Sequence, residues 1–148
     1  MPIHIERTVN INAPPDRVWA VMKDVERWPE WTESMKNVER LDTGDFALGS
    51  KAKLKIHRSP NANVWTVTEL SPSRSFTWET NSGGVKGVAK HVIEPNGSGS
   101  KVTLTVDLSG PVATIFSPII AGQSRKNVDM EAEGLKRRSE ADSGQGNG

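Results

Sequence analysis

The chain has no cysteine, which excludes disulfides, thiolate metal sites and thiol catalysis. No stretch approaches the ~20 consecutive apolar residues needed to cross a bilayer. Lysine and arginine number 19 against 18 aspartates and glutamates, a formal charge of +1. No overall field of one sign therefore points to nucleic acid or an anionic membrane. Aromatics are only 5% of the residues, and none sits in a basic–aromatic platform for single strands. H-E-x-x-H spacing, a G-x-S-x-G elbow and a Walker loop are all missing. His4, His57 and His91 fall on separate strand signals, so neither a metal nor another cofactor is expected. The opening MPIHIERTVNI has neither a basic head nor an apolar run, so no signal peptide is expected and the location is read as cytoplasmic.

What is present is ordered. In residues 3–12, Ile3, Ile5, Val9 and Ile11 share one face and His4, Glu6, Thr8 and Asn10 the other. That period of two reads as a half-buried strand. In APPDRVWAVMKD, Pro15 suits a first helical position, Asp16 suits the positive end of the dipole, and Val18, Val21 and Met22 form a stripe. The spacing predicts a short helix to about Lys23, then a second short turn capped by Asp24 and ended by Pro29. Strand signals follow at roughly 35–42, 50–58, 63–70, 74–80, 84–94 and 100–109, separated by polar turns such as DTGD, SPS and NSGG. Such a meander makes a curved antiparallel sheet.

From Pro111 the period changes. Val112, Phe116, Ile119, Ile120, Gln123, Asn127, Met130 and Gly134 fall on one helical stripe ending near Arg138, with a kink or second start at Pro118. A long helix after an antiparallel sheet must bury its stripe on the concave face. Residues 1–140 are expected to form one domain and 141–148 a disordered tail.

Charge decides which side of each strand points inward. Lys51, Lys53 and Lys55 outside put Leu54, Ile56 and Arg58 inside. Lys86, Lys90 and Glu94 outside put Gly87, Ala89 and His91 inside, and Glu79 outside turns Phe76 and Trp78 in. Val102, Leu104, Val106 and Leu108 also face inward. Trp65, Val67 and Glu69 share the other ambiguous face, taken as inner because burying the larger ring gains more. Small Gly87 and Ala89, set against polar Gln123 and Asn127 on the helix, indicate an internal cavity. Phe116, Ile119, Ile120 and Met130 are expected to close it from the helix side. The same alternation brings Arg7, Arg58 and His91 inward as candidates for chemistry, since a buried charge needs a partner or a ligand. Each has a structural alternative: Arg7 pairs with a carboxylate or snorkels, Arg58 reaches water from a strand end, and His91 is a satisfied core histidine.

DVERWPEWTES places Trp28 and Trp31 around a proline on a short broken segment. Together with INAPPDRVWAV before it, and WTVTELSPSRSFTWE and HVIEPNGSGSKVTLTV after it, this block resembles the START/polyketide-cyclase superfamily, also called SRPBCC or birch-pollen-allergen-like proteins. The likeness runs from residue 3 to about 140. It implies an α+β helix-grip fold: seven antiparallel strands curved around a long C-terminal helix, with two short helices between the first two strands. It also implies an internal cavity with Trp28 and Trp31 at its mouth and Met35 beside them. Cyclases of this fold rely on pocket tyrosine and arginine. This chain has no tyrosine, so His91, Arg7 and Arg58 alone are left to move a proton or steady an enolate.

Three functions follow. The first is binding, transport or sequestration of a hydrophobic lipid- or polyketide-like molecule. The second is cyclisation or dehydration of a poly-β-keto substrate with His91 as general base. The third is binding to a protein partner, with a vestigial pocket. The expected partner is a hydrophobic small molecule, without nucleic acid or stable membrane insertion, and the expected state is a monomer or weak homodimer.

Overall fold

The computed structural model describes residues 2–57, 59 and 61–145. Arg58 and the last three residues of the expected tail lie outside them. Seven strands form one antiparallel sheet: β1 (Ile3–Ile11), β2 (Met35–Arg40), β3 (Lys51–Ile56), β4 (Asn63–Ser71), β5 (Ser75–Ser82), β6 (Val85–Asn96) and β7 (Gly99–Ser109). Their spatial order is β1-β7-β6-β5-β4-β3-β2, so the first strand closes against the last. Between β1 and β2 run helix α1 (Pro15–Lys23) and a 3-10 turn (Val25–Glu30). After β7 come α2 (Pro111–Ile115) and α3 (Ser117–Gln145). Among the described residues no helix is long and apolar enough to cross a membrane.

Local chemistry explains most boundaries. Pro15 opens α1, whose Val18, Trp19, Val21 and Met22 are buried. Asp24 does not cap the next turn through its side chain; its carboxylate instead meets Arg27 Nε at 3.1 Å. Pro29 sits inside that turn, which ends one residue later. Gly110 (φ +106°) turns the chain from β7 into α2, and a Cβ there would lie 2.5 Å from the Gly84 carbonyl oxygen. That left-handed conformation and close approach suit glycine alone.

Two expectations fail for definable reasons. The β4–β5 register shifts between Val67 and Glu69, so a bulge at Thr68 releases Glu69 to solvent while Trp65 and Val67 stay buried. The terminal helix restarts at Ser117 and continues past Arg138 to Gln145. A stripe counted across that break is out of phase beyond it. Val128, Ala132, Leu135 and Ser139 form the buried stripe of α3. Ile119 is 72% exposed and Phe116 50%, so neither closes the interior.

The second half of α3 is pinned to β1 by polar contacts. Arg7 reaches Glu133 (3.1 Å) and Asp129 (3.7 Å), which gives this arginine a structural place on the flank of the helix. Lys136 Nζ donates to the Asn10 carbonyl and to Glu140, and the Asn12 amide donates to the same Glu140 carboxylate. The Lys136 hydrogen bond, then the Asn12 N–H, hold the Glu140 carboxyl below its ordinary 4.5.

Candidate functional site

Between α3 and the sheet lies a cavity of about 110 Å³. Its floor is apolar: Leu54, Ile56, Ala89, Leu104, Val106 and Leu108 from the strands, with Trp65 and Trp78. Trp28 and Met35 close one side, and Ser34 joins them. From the helix come Ser124, Asn127, Val128 and Glu131. Of the residues expected here from strand alternation, the helical stripe and the resemblance, Trp28, Met35, Leu54, Ile56, Trp65, Trp78, Ala89, His91 and Asn127 line the cavity.

The others lie elsewhere. Val67 and Phe76 are packed solidly in the core. Trp31 and Met130 face an outer groove between the 3-10 turn and α3, shared with Glu30, Glu33, Asp129, Glu133 and Arg137. Trp31 is nonetheless buried, and its ring centroid is 5.6 Å from that of Trp28. Only Trp28 of this pair faces the interior. Proline 29 separates an inner ring from an outer one. Gln123 does not line the cavity but donates from Nε2 to Asn127 Oδ1 at 3.2 Å. That oxygen keeps a second lone pair and the amide nitrogen carries two N–H groups, so Asn127 can both accept from and donate to a guest. Ile120 packs against the core edge, while Phe116 and Ile119 point to solvent.

Gly87 does not leave a hollow. A Cβ there would stand 3.0 Å from Trp65 Cη2 and 3.3 Å from Leu108 Cδ2, so the missing side chain makes room for an indole. Ala89, two residues on, does open onto the void.

Around the cavity the aromatic residues form one connected cluster. Trp28 touches Trp78 (centroids 5.4 Å), Trp78 touches Trp65 (6.0 Å) and Phe76 (5.3 Å), and Phe46 meets Phe76 edge-on at 5.1 Å. Trp28 is anchored by its Nε1–H, which donates to the Met22 carbonyl at 2.9 Å. Phe46, on the β2–β3 loop, carries no periodic signal in the sequence.

One wall is polar. His91, 3% exposed, lies flat on Phe76 (4.1 Å, 8° between planes). Its Nδ1 is 3.3 Å from the Phe76 carbonyl oxygen and its Nε2 is 3.3 Å from Glu131 Oε2. Both neighbours accept hydrogen bonds. Which ring nitrogen donates depends on the tautomer. Imidazole and carboxyl thus meet at the edge of an apolar space, two groups able to donate or accept a proton. Arg7 takes no part, because its partners lie on the outside of α3. Glu131 escapes a reading of the sequence because the stripe was phased from Phe116. Phased from Val128, Ala132 and Leu135, the same helix puts Ser124 and Glu131 beside the buried row.

Ser34 Oγ and Thr32 Oγ1 are 2.7 Å apart, and Trp65 Nε1–H is buried without an acceptor among the described residues. His4, on the outer face, has its Nδ1 2.5 Å from Asp107, and that hydrogen bond with the accompanying charge raises its pKa above 6.5. Among the described residues no group of three or more His, Cys, Asp or Glu is placed to hold a metal ion.

A curved seven-stranded antiparallel sheet closed by a terminal helix over a mostly apolar cavity defines the helix-grip architecture of the START/SRPBCC superfamily. The chain belongs to the polyketide cyclase/dehydrase and lipid transport family, whose pattern matches residues 2–140. It is 28% identical over 120 residues to the toxin Rv0910 of Mycobacterium tuberculosis strain H37Rv, covering 76% of this chain and 78% of that protein. Its fold is similar to that of the Zhui aromatase/cyclase from Streptomyces sp. R1128 (TM-score 0.79, 19% identity, 95% and 94% coverage). It is also similar to a START superfamily protein from Mycobacterium smegmatis (TM-score 0.77, 16% identity, 94% and 98% coverage).

Proposed function

We propose that this protein is a cytoplasmic binding protein for a small, largely apolar molecule carrying one ring and one hydroxyl or carbonyl group. The observation that carries this reading is the cavity itself: apolar on most sides, bordered by Trp28, Trp65 and Trp78, with its polar side chains at Ser34, His91, Ser124, Asn127 and Glu131. Its volume, about 110 Å³, is below the several hundred Å³ of drug-sized pockets and near that of cavities that take a benzene ring. A fused polyketide would require α3 to move outward. A single ring would not. Because three indoles border the space, titration with single-ring phenols and aryl ketones should shift tryptophan emission and saturate. The same titration on Ala89→Leu, which fills the void from the floor, should be flat. Equal response from both proteins would remove the cavity from the account.

The His91–Glu131 contact favours a second reading, proton transfer on a bound β-keto compound, with His91 as the base and Glu131 holding its ring. His91→Ala and Glu131→Gln would then abolish turnover of such a substrate while leaving its binding within a few fold. Turnover that survives both changes rules this reading out.

A further inference from the structure

Two of the apolar residues that the helical stripe sends toward the cavity, Phe116 and Ile119, stand on the surface instead, beside Ile115. Ile115 (71% exposed), Phe116 (50%) and Ile119 (72%) project together from the break between α2 and α3. Phe116 is thereby the one aromatic residue outside the buried cluster. The exposed area is on the order of 300–400 Å², too little for a stable protein interface, which takes about 800 Å² from each partner. It is a projecting tip, not a groove.

Charge says what the tip meets. The net charge of +1 gives no overall attraction, but its distribution here is one-sided. From Leu108 to Val128 the chain has no acidic residue, while Arg125 and Lys126 are both exposed. Lys126 lies seven residues beyond Ile119, hence on the same face of α3 and about 10 Å further along it. The hairpin packed on α2, where the Val112 amide donates to the Gly84 carbonyl (3.0 Å), is also free of acid from Thr80 to Ile93 and carries exposed Lys86. The carboxylates that bound the Leu108–Val128 stretch along the chain are both engaged, Asp107 by His4 and Asp129 by Arg7.

We propose that the α2–α3 corner is a docking site for an anionic lipid bilayer, into which Ile115, Phe116 and Ile119 dip while Arg125, Lys126 and Lys86 meet the headgroups. An apolar wedge backed by cations is what an interfacial segment requires. No helix needs to cross, and among the described residues none is long and apolar enough to do so. The site goes beyond the cavity reading and joins it in one respect: Ser124 and Asn127, which line the cavity, stand within two to three turns of Ile119 on the same helix. A guest dissolved in the bilayer would therefore meet the protein close to the end of its cavity.

The test is sedimentation of the full chain with phosphatidylcholine vesicles containing about one-third phosphatidylserine, at low and at high salt. The wild type should sediment, several-fold less at high salt. Phe116→Ser/Ile119→Ser should bind at least tenfold more weakly, and Arg125→Glu/Lys126→Glu at least fivefold more weakly, with unchanged circular dichroism. Ala89→Leu should sediment like the wild type. A protein that sediments but binds no small ring would end the cavity reading and leave this one standing. Wild-type protein that stays in the supernatant would overturn the proposal. So would a serine variant that sediments equally, or a patch that proves to hold two copies together in size-exclusion runs without binding vesicles.

Discussion

Replacing a glycine by alanine inside a helix ordinarily stabilises it by about 1 kcal/mol. At Gly134 the structure predicts the opposite. An added Cβ would lie 2.0 Å from the Trp31 carbonyl oxygen and 3.0 Å from Trp31 Cε3. The first distance is more than an ångström short of ordinary contact, and its partner is backbone that cannot swing aside. Either α3 or the Trp28–Trp31 segment must shift. Overpacking of this kind costs about 1–3 kcal/mol, and the Arg137 Nη2 hydrogen bond to the same carbonyl (3.3 Å) would be strained as well. With about 1 kcal/mol added for that hydrogen bond and a propensity gain of similar size subtracted, Gly134→Ala should destabilise by about 1–3 kcal/mol, or roughly 3–9 °C in Tm for a domain of this size. Gly122, on the same helix, supplies the control, because a Cβ there meets nothing within 4 Å. Gly122→Ala should stabilise by about 0.5–1 kcal/mol. Urea unfolding followed by circular dichroism reads both. If Gly134→Ala proves as stabilising as Gly122→Ala, then α3 does not sit against Trp31 as described, and the wall of the cavity is misplaced.

Two further expectations concern titration. His4 should titrate above 6.5 in an NMR pH series, and Asp107→Asn should return it toward that value. Because the folded-state pKa is raised, the contact contributes stability below about pH 6.5 and loses it as pH rises through the raised value. Glu140 has the opposite sign: its carboxyl is depressed, so its link to Lys136 and Asn12 holds above about pH 4.5 and is lost as pH falls through the lower folded value. Glu140→Gln should therefore narrow the stability gap between pH 6 and pH 3 in thermal melts; an unchanged gap would show that the tie contributes nothing.

Strands were the most legible part of the chain, since Lys51, Lys53 and Lys55, or Val102, Leu104 and Val106, announce period and face together. A bulge is silent in such a pattern, and one at Thr68 turned Glu69 outward. The helix was legible as a helix but not in its phase. Pro118 marked the restart, yet the large side chains before it set the count, and the face that meets the cavity starts from Val128 instead. Glu131 was hidden by that choice, and with it the partner of His91. Gly87 shows a different limit: a small residue signals space, but only the fold tells whether the space is empty or occupied, here by Trp65. The resemblance puts Trp31 with Trp28 at the cavity mouth, whereas only Trp28 lines the cavity and Trp31 lines the outer groove.

The central claim is that α3 and the sheet enclose a space able to receive a single ring. Methyl-resolved NMR during titration with p-cresol tests it most directly. Saturable shifts confined to Ala89, Leu104, Val106, Leu108 and Val128, and absent in Ala89→Leu, are the predicted result. Shifts that never saturate, or that gather on the outer face around Met130 while those methyls stay still, would contradict it.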